Sequence, residues 1–165
     1  MNWFKKKALH LLGGGVINVH TELIARKIVD GKYTDVRRVV RDKVVTDAFV
    51  AFVVDQLQAE DSTFGDFKYH DSGIGVGAEA AGDTGLGMPW GGARDTGTQI
   101  EGATANIYKS VATTTYNATK AITEHGLFNT AVTATLMDRT LFSAINVESG
   151  NQIEWTFQIT FTAGG

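Results

Sequence analysis

Three aspartates each open the same kind of tripeptide, Asp71-Ser72-Gly73, Asp83-Thr84-Gly85 and Asp95-Thr96-Gly97, at twelve-residue intervals. Two carboxylates in such a setting can share one proton and act as general acid and base on a water molecule. That chemistry sets each aspartate at the end of an apolar strand. Here His70, Gly82 and Arg94 precede the aspartates and the flanks are rich in glycine, so turn chemistry is the better reading. His10, His20, His70 and His125 are scattered and never take a metal-ligand spacing such as H-x-x-x-H. Glu124-His125 and Asp138 offer a carboxylate–imidazole pair if their strands are neighbours, with structural hydrogen bonding preferred to catalysis. Asp83, Asp95 and Glu101 offer oxygen ligands for calcium, but no EF-hand or nonapeptide repeat surrounds them. Gly73-Ile-Gly-Val-Gly77 has neither the spacing nor the βαβ setting of a nucleotide-binding loop. No catalytic residue, metal site or cofactor is assigned, and the chain reads as a non-enzyme.

The elements that position these residues are those of a β protein. In the run Gln152–Thr162, Ile153, Trp155, Phe157, Ile159 and Phe161 fall on one parity and polar residues on the other, the pattern of a half-buried strand. Residues 16–29 and 32–45 read as strands joined at Asp30-Gly31, a type I′ hairpin signal. Thr46 caps a helix over 46–58, with Phe49, Phe52, Val53, Gln56 and Leu57 as its apolar stripe. Residues 71–102 are glycine-rich with little periodicity and are expected to be one long loop or several short ones, the kind of segment that is usually functional or disordered until bound. Strands return at 105–116, 119–123, 139–147 and 152–162, the last two separated by Glu148-Ser149-Gly150-Asn151, expected to be a hairpin turn. The expectation is a mainly β antiparallel sandwich or jelly roll with one short helix, in a single domain over 16–165.

Length and composition agree. A chain of 165 residues with 43% hydrophobic and 20% charged content suits one globular domain, which can bury roughly 70% of its unfolded surface. The lack of cysteine excludes disulfides and thiolate metal sites. No stretch approaches the roughly 20 apolar residues of a membrane helix. Lys5-Lys6-Lys7 before Ala-Leu-His-Leu-Leu imitates a signal peptide, but the apolar run is too short and stops at Gly13-Gly14-Gly15.

Charge is uneven: residues 1–45 carry ten Lys/Arg against four acids, and residues 46–165 carry five against fourteen. Residues 1–15 read as a flexible arm with Trp3, Phe4, Lys5, Lys6 and Lys7 as candidate partner contacts. Trp90 joins them as an aromatic anchor in the glycine-rich stretch. Three lysines on an acidic body favour a protein partner over nucleic acid.

Phe67-Lys-Tyr-His-Asp-Ser-Gly73, Ala78-Glu-Ala80, Asp83-Thr84, Gly97-Thr-Gln99, Ile122-Thr-Glu-His-Gly-Leu-Phe128 and Leu136-Met-Asp-Arg-Thr-Leu-Phe142, taken in order, resemble a family of tailed-bacteriophage structural proteins. The resemblance covers residues 35–163. Asn151 stands where the family's pattern has an acid, and Trp155-Thr-Phe157 replaces Phe-Thr-Tyr. It implies a virion protein of the decoration or cement kind, often trimeric, whose partners are the major capsid protein and further copies of itself. A neck, tail or baseplate component is the alternative. The resemblance carries over no catalytic residues, and no cofactor, small-molecule substrate or membrane is expected.

Overall fold

A computed structural model describes residues 16–41, 45–58 and 67–164. In chain order the elements are β1 (Val16–Val29), β2 (Lys32–Arg41), α1 (Asp47–Gln58), β3 (Tyr69–Gly73), β4 (Asp95–Thr96), β5 (Thr98–Glu101), β6 (Ile107–Thr115), β7 (Lys120–Phe128), β8 (Leu136–Val147) and β9 (Gln152–Gly164). Two antiparallel sheets result, one ordered β2-β1-β9-β6-β5 and the other β4-β3-β7-β8.

The alternating run of β9 makes it the middle strand of the larger sheet. Ile153, Trp155, Phe157 and Ile159 are buried, and Phe161 at the rim is 38% exposed. The smaller sheet packs against that face, so the fold is a mainly β sandwich. Among the described residues its interior holds two apolar clusters. One gathers Leu23, Ala25, Tyr116, Ile122, Ile145, Val147, Ile153 and Trp155. The other gathers Phe49, Phe67, Leu127, Met137, Phe157 and Ile159.

Local chemistry explains the connections. Asp30 and Gly31 have φ of 49° and 73°, the two positive values a type I′ turn demands, and β1 and β2 pair across them. Thr46 Oγ1 accepts the Phe49 N–H at 3.2 Å and caps α1, while the Thr46 N–H donates to Met137 O at 3.0 Å. Phe49 and Phe52 both meet Phe67 edge-on, at 5.1 and 4.9 Å between centroids, so the helix closes one end of the sandwich. Arg37 of β2 donates to the carbonyls of Ser143 and Ala144 on the edge strand β8, each at 3.1 Å, and so ties the two layers along one side.

Two expectations need correction. Glu148–Asn151 does turn, with Gly150 at φ 87° and the Asn151 N–H on Glu148 O at 3.0 Å, but it is not a hairpin. The strands on either side lie in different sheets, and the turn crosses between layers. Composition encodes the reversal but not the pairing: Ile145 and Val147 on one side meet Ile153 and Trp155 on the other through their apolar faces. Nor is 71–102 loop throughout. Asp71–Gly73 completes a buried strand, β4 and β5 extend the two sheets, and only 74–94 connects them.

Candidate functional site

The residues that suggested chemistry lie on β3, β7 and β8, where strand alternation divides them between two faces. His70 and Ser72 of β3 point into the sandwich. His70 Nε2 is 2.8 Å from Ser110 Oγ, and Ser72 Oγ is 2.9 Å from the Tyr116 hydroxyl. On β7, His125 also points inward, its Nε2 2.9 Å from His70 Nδ1 and its ring 4.8 Å from that of Trp155. The Trp155 Nε1–H donates to Thr114 Oγ1 at 3.0 Å, and that hydroxyl donates to Asp95. The inner face of β6 makes room for this seam with small polar residues, Ser110 and Thr114, on either side of Ala112.

Ser110, His70 and His125 imitate a nucleophile, a base and its orienting partner. Their burial argues against that use. All three are 0% exposed. Desolvation drives the His70 imidazole down to about 3, and desolvation together with the neighbouring His70 holds His125 well below its usual value. His125 Nδ1 has no hydrogen-bond partner, so its proton belongs on Nε2, where it is donated to His70 Nδ1. His70 then carries its own proton on Nε2, toward Ser110, and has no lone pair with which to activate that hydroxyl. The row is a chain of neutral hydrogen bonds joining the sheets.

Glu124, next to His125, faces the opposite way, which is why the two do not pair. Its Oε1 accepts the N–H groups of Gly75 at 2.9 Å and Met88 at 2.8 Å, and its Oε2 accepts the Gly87 N–H at 3.0 Å. Arg139 of β8 donates from Nε to Oε2 at 2.8 Å. Burial alone would raise the Glu124 carboxyl, but the three backbone donors and the guanidinium outweigh it and hold it below its ordinary value. Arg139 continues outward, from Nη1 to Asp83 at 2.9 Å and from Nη2 to Gly77 O at 3.0 Å. Segment 74–94 is thereby fastened over the outer face of the smaller sheet. Gly75 is required: a Cβ there would lie 2.4 Å from Glu124 Oε1.

Each of the three spaced aspartates has its own local partner. Asp71 pairs with Arg94 at 3.4 Å, Asp83 with Arg139, and Asp95 with Thr114. Burial raises the carboxyls of Asp71 and Asp95, opposed by Arg94 in the first and the Thr114 hydroxyl in the second. Asp83, Asp95 and Glu101 do not assemble; among the described residues no group of three or more His, Asp or Glu side chains could hold a metal ion. Asp138 takes the Thr140 hydroxyl at 2.6 Å. Trp90 is half-buried and meets Tyr116 edge-on at 4.9 Å between centroids. Trp3, Phe4, Lys5, Lys6 and Lys7, with the arm over 1–15, lie outside the described residues.

No family model, curated protein or solved structure matches this chain.

What the arrangement itself can do is hold two sheets and a covering segment in one geometry. Sequence reading missed Arg94, whose guanidinium lies 3.7 Å over the Phe128 ring while Nη1 donates to Thr130 O at 3.0 Å. It also missed the Glu124–Arg139 pair. The available signal was a lone acid and a lone base in runs otherwise fit for burial, since buried charges need partners. No helix among the described residues is long and apolar enough to cross a membrane.

Proposed function

We propose that the chain is a non-enzymatic structural protein of a tailed-phage virion, a decoration or cement subunit that binds the assembled coat shell and stabilises it by contacts between subunits. The observation that carries this reading is where the family-like blocks fall. Residues 67–73, 122–128 and 136–142 lie at β3, β7 and β8, and their polar side chains (His70, Ser72, Glu124, His125 and Arg139) are engaged in bonds within the fold. A sequence pattern of that kind maintains a scaffold and leaves the outer surface to partners. The partners would be the major capsid protein and further copies of this chain, and retention on a repetitive shell would gain from avidity.

The cations of β1 and β2 support a solvated sheet face rather than a nucleic-acid surface. Arg26 pairs with Glu154 at 2.9 Å and Arg38 with Glu22 at 2.6 Å, so opposite charges alternate there.

Copy number relative to the coat protein in purified virions, by quantitative mass spectrometry, tests the proposal. A simple ratio to the coat supports cement. A handful of copies moves the protein to the neck or tail, and absence from virions removes the reading.

A further inference from the structure

An apolar slot of about 200 Å³ opens at the end of the sandwich that α1 closes, lined by Phe49, Phe67, Tyr108, Met137, Ile159 and Phe161. A cavity of about 150 Å³ lined by apolar side chains accepts a benzene ring, so this slot has room for one aromatic side chain. Tyr108 and Phe161 also line a shallower groove bordered by Gln99, Ile100 and Glu101. That groove runs along β5, an edge strand of the larger sheet, with Ile100 43% exposed. Slot and groove are thus one continuous surface, apolar at one end, with a strand edge and the Glu101 carboxylate at the other.

The chain supplies a segment of matching chemistry. Trp3 and Phe4 are followed directly by Lys5, Lys6 and Lys7, and Gly13–Gly15 separate this segment from β1. The register of β1 shows where it departs. Val19 lies opposite Phe161 and Val16 opposite Gly164, so the chain enters β1 about 10 Å beyond the slot, on a course leading away from it.

We propose that slot and groove receive the N-terminal segment Trp3–Lys7 of a second copy of this chain, with an aromatic ring in the slot and the lysines beside Glu101. This rests on the self-association part of the proposed function. Its failure would leave shell binding standing, because the test needs no virion.

The experiment is light scattering on the purified full chain, on a chain lacking residues 1–12, and on W3A/F4A and Phe161→Asp variants. Anisotropy of a fluorescein-labelled peptide of residues 1–12 added to the truncated chain completes it. Phe161 is at the rim and the arm variants leave the body untouched, so thermal melts should stay cooperative in each. The expected result is an oligomer for the full chain, monomers for all three variants, and peptide binding weakened at least about tenfold by Phe161→Asp in the truncated chain. An oligomer that survives truncation overturns the proposal, as does peptide binding indifferent to Phe161→Asp. A monomeric full chain whose labelled segment still binds the truncated body would make the chain's own arm the occupant, and overturns it too.

Discussion

Glu124 and Arg139 meet at 2.8 Å on adjacent strands, each almost wholly buried, with the carboxylate held by three further backbone N–H groups from the segment that crosses above it. The pair is the floor to which 74–94 is fastened. Removing one member leaves the other charged and desolvated, a situation that typically costs about 3–5 kcal/mol. Arg139→Met should therefore lose about that much in urea denaturation and open 76–86 to limited proteolysis. A loss under about 1 kcal/mol, with the segment still protected, would mean that the backbone bonds hold it unaided.

The paired histidines make stability depend on pH in a definite direction. Both imidazoles are depressed in the folded state from an unfolded value of 6.5, His70 to about 3. The unfolded chain therefore binds more protons below pH 6.5, and stability present above that pH is lost as pH falls. Each histidine contributes a slope of up to about 1.4 kcal/mol per pH unit. Glu124 and Asp83, also depressed, act in the same sense only near and below their unfolded values of 4.5 and 3.8. Asp71 and Asp95, raised from 3.8, act in the opposite sense above it. Between pH 6.5 and about 5 the histidines should dominate. Urea midpoints measured across that window should fall with acid, and His125→Gln should roughly halve the slope. A flat profile in the parent protein would mean that the pair takes up protons without cost.

Among the described residues Trp155 is the largest fully buried side chain, and its indole N–H has a partner in Thr114. Trp155→Ala should cost about 3–5 kcal/mol, the range for deleting a large core aromatic. A chemical-denaturation loss below about 1 kcal/mol would place that face outside the core.

Parts of this structure were legible because their causes are local. The alternation in β9 needs only the two-residue period of a strand. Asp30-Gly31 needs only the positive φ of two adjacent residues, and the Thr46 cap a hydroxyl three residues before a free N–H. The seam was not legible, because its causes are distant. His70 lies 55 residues from His125 and 40 from Ser110, and nothing near any of them signals that three strands will bring them together. The turn at Glu148–Asn151 failed as a hairpin for the same reason: the choice of pairing belongs to the apolar faces of both sheets. In Ile122–Phe128 the meaning of adjacent Glu and His depended on which face each would take, and alternation sends them apart.

Trp90 decides between two uses of the segment that carries it. Its ring packs against Tyr116 and borders the first apolar cluster, and a Cβ on Gly92 would sit 1.8 Å from it. Its N–H donates to Ser72 O at 3.0 Å, so backbone and side chain both fix the return limb of the segment beside β3. Such a residue stabilises its own fold first. Trp90→Ala should cost about 1–3 kcal/mol in denaturation, less than Trp155→Ala because Trp90 is only partly buried. If the protein is the virion subunit proposed above, Trp90→Ala should weaken incorporation into particles only as far as the segment loosens, and Trp90→Phe should recover most of both effects. If Trp90→Ala instead leaves stability unchanged while incorporation collapses, the exposed edge of the indole is itself the partner contact, and the glycines around it serve the partner's approach rather than the ring's packing.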